Sequence, residues 1–382
     1  MDPTTSAIGT WSGGRFMHFG EPLEEQRFSA LLRPGGGIET VITADVYGAG
    51  EADEALGRAL RGIERDSYCL VGAVGHDFYE GTRQGAKGFP RFTDPALRGE
   101  DGYGRYLQMA TQRSLERIGV DHFDLLMLHN PDSIGYRSPA VWEGMEQLRR
   151  SGLTRLLGLA PGPANGFTLD VIDCLERFGG SIDWAMIILG PLEPWPGQMV
   201  LPAAVSEQVQ IITRVVDYGG LFHDDVLPGH EFPEYDHRRF RPGGWVEAGR
   251  ARLEQMRPIA ERHGLSMLQL ACLWCLGQEA VGCVAPTLIQ EGGPQARPIE
   301  AKRAELAAVA GLTETLSAAE LEEIGAIGDN RNSMALKGAS LEHEGAAVAD
   351  RWGIDAEAAA VAERWNIDPG SDLERVSPVG AH

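Results

Sequence analysis

The chain has 382 residues, 43% of them hydrophobic, and a formal net charge of -21. That length suits one barrel domain of roughly 250–330 residues with appended segments. The acidity speaks against nucleic acid and against anionic membrane surfaces as partners. There is no run of about eighteen apolar residues, and no apolar leader core follows Met1, so a soluble, cytoplasmic protein with a small-molecule substrate is expected.

Short apolar runs alternate with helical patterns along most of the sequence. Strands are predicted at Ile8–Ser12, Thr40–Ala44, Tyr68–Val74, Phe123–Leu128, Arg155–Ala160, Trp184–Leu189, Val209–Val215 and Gly282–Pro286. Between them, helical periodicity covers Glu51–Arg61, Tyr103–Ile118, Pro139–Ser151, Leu169–Phe178 and Glu247–His263. Strands and helices in strict alternation predict the α/β class and, in particular, a parallel (β/α)8 TIM barrel. The strand runs are continuously apolar, as expected where both faces are buried.

Two stretches are too long for ordinary connections. Phe78–Asp101 follows the third strand and Pro228–Gly244 follows the seventh, so both are expected over the C-terminal mouth of the barrel. The barrel domain is assigned to 1–338, a helical C-terminal extension to 339–368 and a flexible tail to 369–382. Within the extension, Val348–Asp355 recurs as Val361–Asp368, carrying Trp352 and Trp365. This repeat reads as a clasp on the barrel exterior, or as a lid or subunit contact, which leaves homo-oligomerisation open. Cys69, Cys174, Cys272, Cys275 and Cys283 sit mostly in apolar runs and read as buried thiols in a reducing compartment. The Cys272/Cys275 spacing lacks the second pair that a metal site needs.

The segments Ile8–Trp11 (IGTW), Thr43–Gly48 (TADVYG), Gly50–Gly57 (GEADEALG) and Asp121–Asp132 (DHFDLLMLHNPD) occur in order. Gly219–Leu221 (GGL), Ile259–Ser266 and Gln269–Trp274 follow. Together they resemble the aldo-keto reductase superfamily over about residues 8–330. The resemblance implies Tyr47 as the proton donor to a substrate carbonyl, His129 as the group that orients that carbonyl, and NADP(H) as the hydride source. It also implies cofactor contacts from Gly220 and Leu221 and from the basic residues after the eighth strand, Arg297, Lys302 and Arg303. Those basic residues read equally well as solvated surface charges.

The sequence departs from the family pattern at several points. Ile42 stands at the family's Asp, Ala73 (next to Val74) at its Lys, Ala160-Pro161 at its Ser-Asn pair, and Met186 at about its Gln. A tyrosine titrates at about 10 in water, and bringing it near 7 takes roughly 4 kcal/mol, much of it normally supplied by a neighbouring cation.

Histidines gather after strands: His18, His76, His129 and His223, with Asp45, Asp77, Glu193, Asp224 and Asp225 in matching places. They read as an acid–base cluster, a divalent-metal site, or polar loop residues. His76 is the candidate to replace the missing cation beside Tyr47. Trp11, His18, Asp45, Trp195, His223 and Asp224 are the candidate substrate contacts, suited to a sugar-like or aromatic molecule. Three functions follow: an NADP(H)-dependent oxidoreductase with an altered tetrad; a non-redox lyase, isomerase or hydratase on the same fold; or a non-catalytic scaffold or ligand sensor.

Overall fold

Eight strands pair in chain order, all parallel. They are β1 Ala7–Gly9, β2 Thr40–Ile42, β3 Cys69–Val74, β4 Phe123–His129, β5 Thr154–Ala160, β6 Trp184–Ile188, β7 Gln210–Arg214 and β8 Val281–Ala285. The Val284 N–H donates to Thr5 O at 2.9 Å, and Ser6 bridges Val284, so β8 meets β1 and the ring closes. This is a computed structural model; it describes residues 1–84, 88–162, 164–313, 315–331 and 354–369.

Alternation along each strand sorts the side chains. Ala7, Ile42, Val71, Ala73, Met127, Met186, Ile212 and Cys283 fill the barrel interior. Ile8, Val41, Leu70, Leu126, Ala185, Ile211 and Val284 face the helix layer instead. That double burial is why the strands read as unbroken apolar runs. The helices are α1 Glu25–Leu32, α2 Glu51–Leu60, α3 Tyr103–Ile118, α4 Ser133–Arg137, α5 Pro139–Arg150, α6 Ala164–Phe178, α7 Leu201–Ser206, α8 Trp245–Arg262, α9 Met267–Leu276, α10 Ile299–Ala308, α11 Ala318–Ile327 and α12 Ala356–Arg364.

The first strand ends earlier than predicted, at Gly9 rather than Ser12. Trp11 folds back over the strand, and a Cβ on Gly9 would lie 2.3 Å from its ring. The helix predicted from Leu169 begins at Ala164, five residues earlier, where Asn165 and Gly166 interrupt the apolar period.

The extension docks on the outside of the barrel. Val361 and Ala362 of α12 are buried, Arg364 pairs with Glu176 of α6 at 2.5 Å, and the Trp365 indole N–H donates to Glu176 at 3.0 Å. Arg137 at the end of α4 pairs with Asp355 at 2.6 Å. This copy of the repeat is thus a clasp; Trp352 of the first copy, with 332–353 and 370–382, lies outside the described residues. All five cysteines are buried and free. Cys272 and Cys275 lie on apolar α9, where burial pushes the Cys275 thiol up to about 12. Among the described residues, no helix is long and apolar enough to cross a membrane.

Candidate active site

Three strand ends meet at the C-terminal mouth. β2 runs into the turn that carries Tyr47, β4 ends on His129, and β7 ends on Arg214. The Tyr47 and His129 rings stand edge to face, with centroids 5.8 Å apart. Tyr47 packs against the interior cluster and is half-buried; His129 is 6% exposed. Arg214 follows Ile212 on the inward face of β7. Its Nη2 donates to Pro161 O at 3.1 Å and Gly162 O at 3.3 Å.

The electrostatics assign each group a form. Burial raises the Tyr47 phenol above its ordinary value, and the Arg214 charge pulls the other way. The phenol is therefore held protonated, with a guanidinium to favour any phenolate that forms. Burial, reinforced by His76, Arg91 and Arg214, holds His129 well below the usual histidine range. It is a neutral imidazole, and its Nδ1 is buried with no hydrogen-bond partner among the described residues.

His76 occupies a different place from the one expected. Its ring packs on His129 with centroids 5.2 Å apart, while its Nδ1 lies 3.1 Å from Phe89 O and 3.0 Å from Arg91 Nη1. Its Nε2 lies 3.3 Å from Asn130 Nδ2. His76 supports His129, and the cation whose charge bears on Tyr47 is Arg214. Sequence reasoning missed that arginine. Its only signal is a lone charge ending the apolar run Gln210–Arg214, at the end of a barrel strand where chemistry gathers.

Behind Tyr47 lies a second layer. Asp53 of α2 accepts from Thr43 Oγ1 at 2.9 Å, from Ser114 Oγ at 2.7 Å and from Arg117 Nη2 at 3.0 Å. Gly50, which opens α2 at φ 103°, sits against the Arg117 side chain, so a Cβ there would lie 2.8 Å from it. These bonds tie the Tyr47 turn to α2 and α3. Asp45 faces this layer and not the substrate mouth. It is fully buried, and neither carboxylate oxygen has a hydrogen-bond partner among the described residues. Burial, with Asp53 nearby, raises its pKa well above the usual carboxylate range and favours the neutral acid.

Of the other expected substrate contacts, Trp11 lies in the interior cluster beside Tyr47. His18 is exposed and packs edge-on against His237, with centroids 5.4 Å apart. Trp195 is buried, its backbone held by Asn330 at 3.1 and 2.8 Å. His223 is fully buried with Nε2 3.0 Å from Thr287 O. Asp224 turns outward to Arg250 and Arg257 of α8, at 2.6 and 2.8 Å. His223 and Asp224 therefore serve packing rather than the mouth, and His18 packs against the loop after β7.

The expected phosphate contacts are also employed elsewhere. Lys302 is no surface charge: it is fully buried, 2.6 Å from Asp225 Oδ2, and donates to Ile289 O at 2.6 Å. Arg297 pairs with Glu305 and donates to His223 O at 2.8 Å. Arg303 donates to the Leu31 carbonyl in the last turn of α1 and to the Arg33 and Gly35 carbonyls just beyond it, which is the opposite face of the barrel. Gly220 opens a buried turn at φ 94° that buries Leu221 in the core.

A family model described as the aldo/keto reductase family matches residues 8–292. The chain belongs to the aldo-keto reductase family. A D-threo-aldose 1-dehydrogenase of a Pseudomonas species is 26% identical over 196 residues, 48% of this chain and 57% of that protein. A probable voltage-gated potassium channel subunit beta of Arabidopsis thaliana is 21% identical over 297 residues, covering 72% and 82%. Among solved structures, the glycerol dehydrogenase of Gluconobacter oxydans is 20% identical with a TM-score of 0.62, covering 84% of this chain and 90% of its own. An aldo/keto reductase of Klebsiella pneumoniae in complex with NADP and acetate is 20% identical with a TM-score of 0.57, covering 86% and 95%. At that identity the likeness concerns the fold.

This family member does not fit the nicotinamide dinucleotide at the positions expected to hold it. Ala160, Pro161 and Met186 offer no side-chain partner for a carboxamide, and the cations after β8 face the chain's own carboxylates and carbonyls. A divalent metal fares no better: among the described residues no three His, Cys, Asp or Glu side chains group to hold one.

Proposed function

We propose that the chain is an enzyme of proton transfer, acting on the carbonyl or hydroxyl group of a small, polyhydroxylated molecule. The observation that carries this reading is the facing pair Tyr47 and His129 with the Arg214 charge on Tyr47. Tyr47 enters protonated and donates to a carbonyl oxygen in the mouth. Arg214 lowers the energy of the phenolate left behind. His129, a neutral imidazole, accepts a proton from a hydroxyl or from the carbon beside the carbonyl. His76 holds the His129 ring in place, and Trp11 closes the apolar side of the mouth. The family's carbonyl chemistry and the aldose named for the Pseudomonas relative favour a sugar-like substrate.

A second reading keeps the oxidoreductase activity of the family, with NADP(H) delivering hydride. The NADP complex of the Klebsiella pneumoniae relative favours it. Turnover of a panel of three- to six-carbon aldoses and ketoses, with and without NADPH, separates the two readings. Activity without nicotinamide that is lost in both Tyr47→Phe and His129→Gln supports the proposal; activity untouched by both substitutions would sink it.

A further inference from the structure

We infer that the loops after β7 and β8 are filled by the chain's own carboxylates where a dinucleotide's phosphates would sit, so the site works without nicotinamide and catalyses a redox-neutral isomerisation of an α-hydroxy carbonyl compound. This rests on the proton-transfer reading above.

A phosphate seat needs main-chain N–H groups and cations turned toward an outside anion. Here several are answered from within, although Arg241 Nη1 is buried without a hydrogen-bond partner among the described residues. Asp217 accepts from the Thr287 N–H at 2.6 Å and the Gly220 N–H at 2.9 Å. Asp225 accepts from the Arg297 N–H at 3.0 Å and pairs with Lys302. Asp236 accepts from the Gly20 N–H at 2.7 Å, which brings the loop after β1 into the same knot. Arg238 is 1% exposed and lies between Asp236 at 2.7 Å and Glu291 at 2.5 Å. Glu291 also meets His230 Nε2 at 3.3 Å. All four carboxylates are 0–2% exposed. A pyrophosphate arriving here meets four like charges already holding the donors it requires.

The other end of a dinucleotide fares the same way. The Pro161 and Gly162 carbonyls, beside which a carboxamide would lie, already accept from Arg214. An internal anion thus fills one end of the expected site and an internal cation the other. The chemistry left to Tyr47 and His129 moves protons only. His129 takes the proton from the hydroxyl-bearing carbon as Tyr47 protonates the neighbouring carbonyl oxygen, giving an enediol. Reprotonation at the former carbonyl carbon, with loss of the other hydroxyl proton, yields the isomer. One C–H bond breaks and one forms, so no outside oxidant or reductant is needed.

Two measurements on the purified full chain test this. Calorimetric titration with NADPH and with NADH is expected to give no binding tighter than about millimolar, while thermal melting stays cooperative and its midpoint is unmoved by either nucleotide. Micromolar binding of either one overturns the inference. Separately, aldoses of three to six carbons incubated in deuterium oxide without nucleotide are expected to give the ketose carrying deuterium at C1, followed by NMR, with product and uptake lost in Tyr47→Phe. No uptake from any aldose, with nucleotide binding still absent, overturns the isomerisation and the proton-transfer reading for this class but not the filled loops.

Discussion

Two parts of the same barrel rim differ in how far their buried carboxylates are answered from within. On the β2–β4 side, His129 Nδ1 and both oxygens of Asp45 are buried without hydrogen-bond partners among the described residues. On the β7–β8 side, Asp217, Asp225, Asp236 and Glu291 each hold two or more hydrogen bonds or ion pairs, although Asp225 Oδ1 and His223 Nδ1 lack hydrogen-bond partners there among the described residues. Leaving a buried polar group unpaired costs about 1–3 kcal/mol, so stability alone would not keep it. On the first side, His129 faces Tyr47 at the mouth while Asp45 belongs to the layer behind it; the second side is architecture built from residue types that a sequence reader assigns to ligands.

The comparison breaks most sharply at Arg238. Arg238→Met strands two buried carboxylates and is expected to cost about 3–5 kcal/mol in urea unfolding; a loss below about 1 kcal/mol would mean the rim is not held this way. Tyr47→Phe should do the reverse, lowering kcat by roughly 10²–10⁴-fold with the unfolding midpoint nearly unchanged. Arg214→Leu is expected to lower kcat by about 10²-fold, and Arg214→Lys to recover part of it. Because the lost cation no longer favours phenolate, any alkaline limb of the rate profile should move up in pH in Arg214→Leu; an unmoved limb would detach Arg214 from Tyr47.

A gentler test uses acid. Burial lowers His223 to about 3, against about 6.5 when unfolded. The unfolded chain binds that proton first, so its contribution is full above pH 6.5 and drains as pH falls toward 3, by up to about 1.4 kcal/mol per pH unit. His223→Gln should flatten this acid limb in denaturant titrations. The smallest effect is expected at the clasp: Arg137→Ala removes partly exposed ion pairs to α12 and should change stability by less than about 1 kcal/mol.

The fold was legible because a barrel strand buries both faces. Each strand was an apolar run in the sequence, and α3 spans the predicted Tyr103–Ile118. Strand ends were less legible where a side chain turns back, as Trp11 does over Gly9. Of the site, Tyr47 and His129 were readable from their motifs. Arg214 was not, since its partners Pro161 and Gly162 lie on the far side of β6 and are main-chain carbonyls without a sequence signature. Lys302 and Asp225 were visible as charges, but residue type does not reveal direction. Whether a charge faces a ligand or a partner 77 positions along the chain is decided only when the loops close.

The knot of loops after β1, β7 and β8 also sets an order of opening. The amides of Gly20, Gly220, Thr287 and Arg297 donate to carboxylates sealed from water, so no local fluctuation frees one without exposing a buried charge. In deuterium exchange these loop amides should behave like strand amides, protected until the whole barrel unfolds. A region that sequence convention would mark as mobile then becomes the last part of the rim to yield.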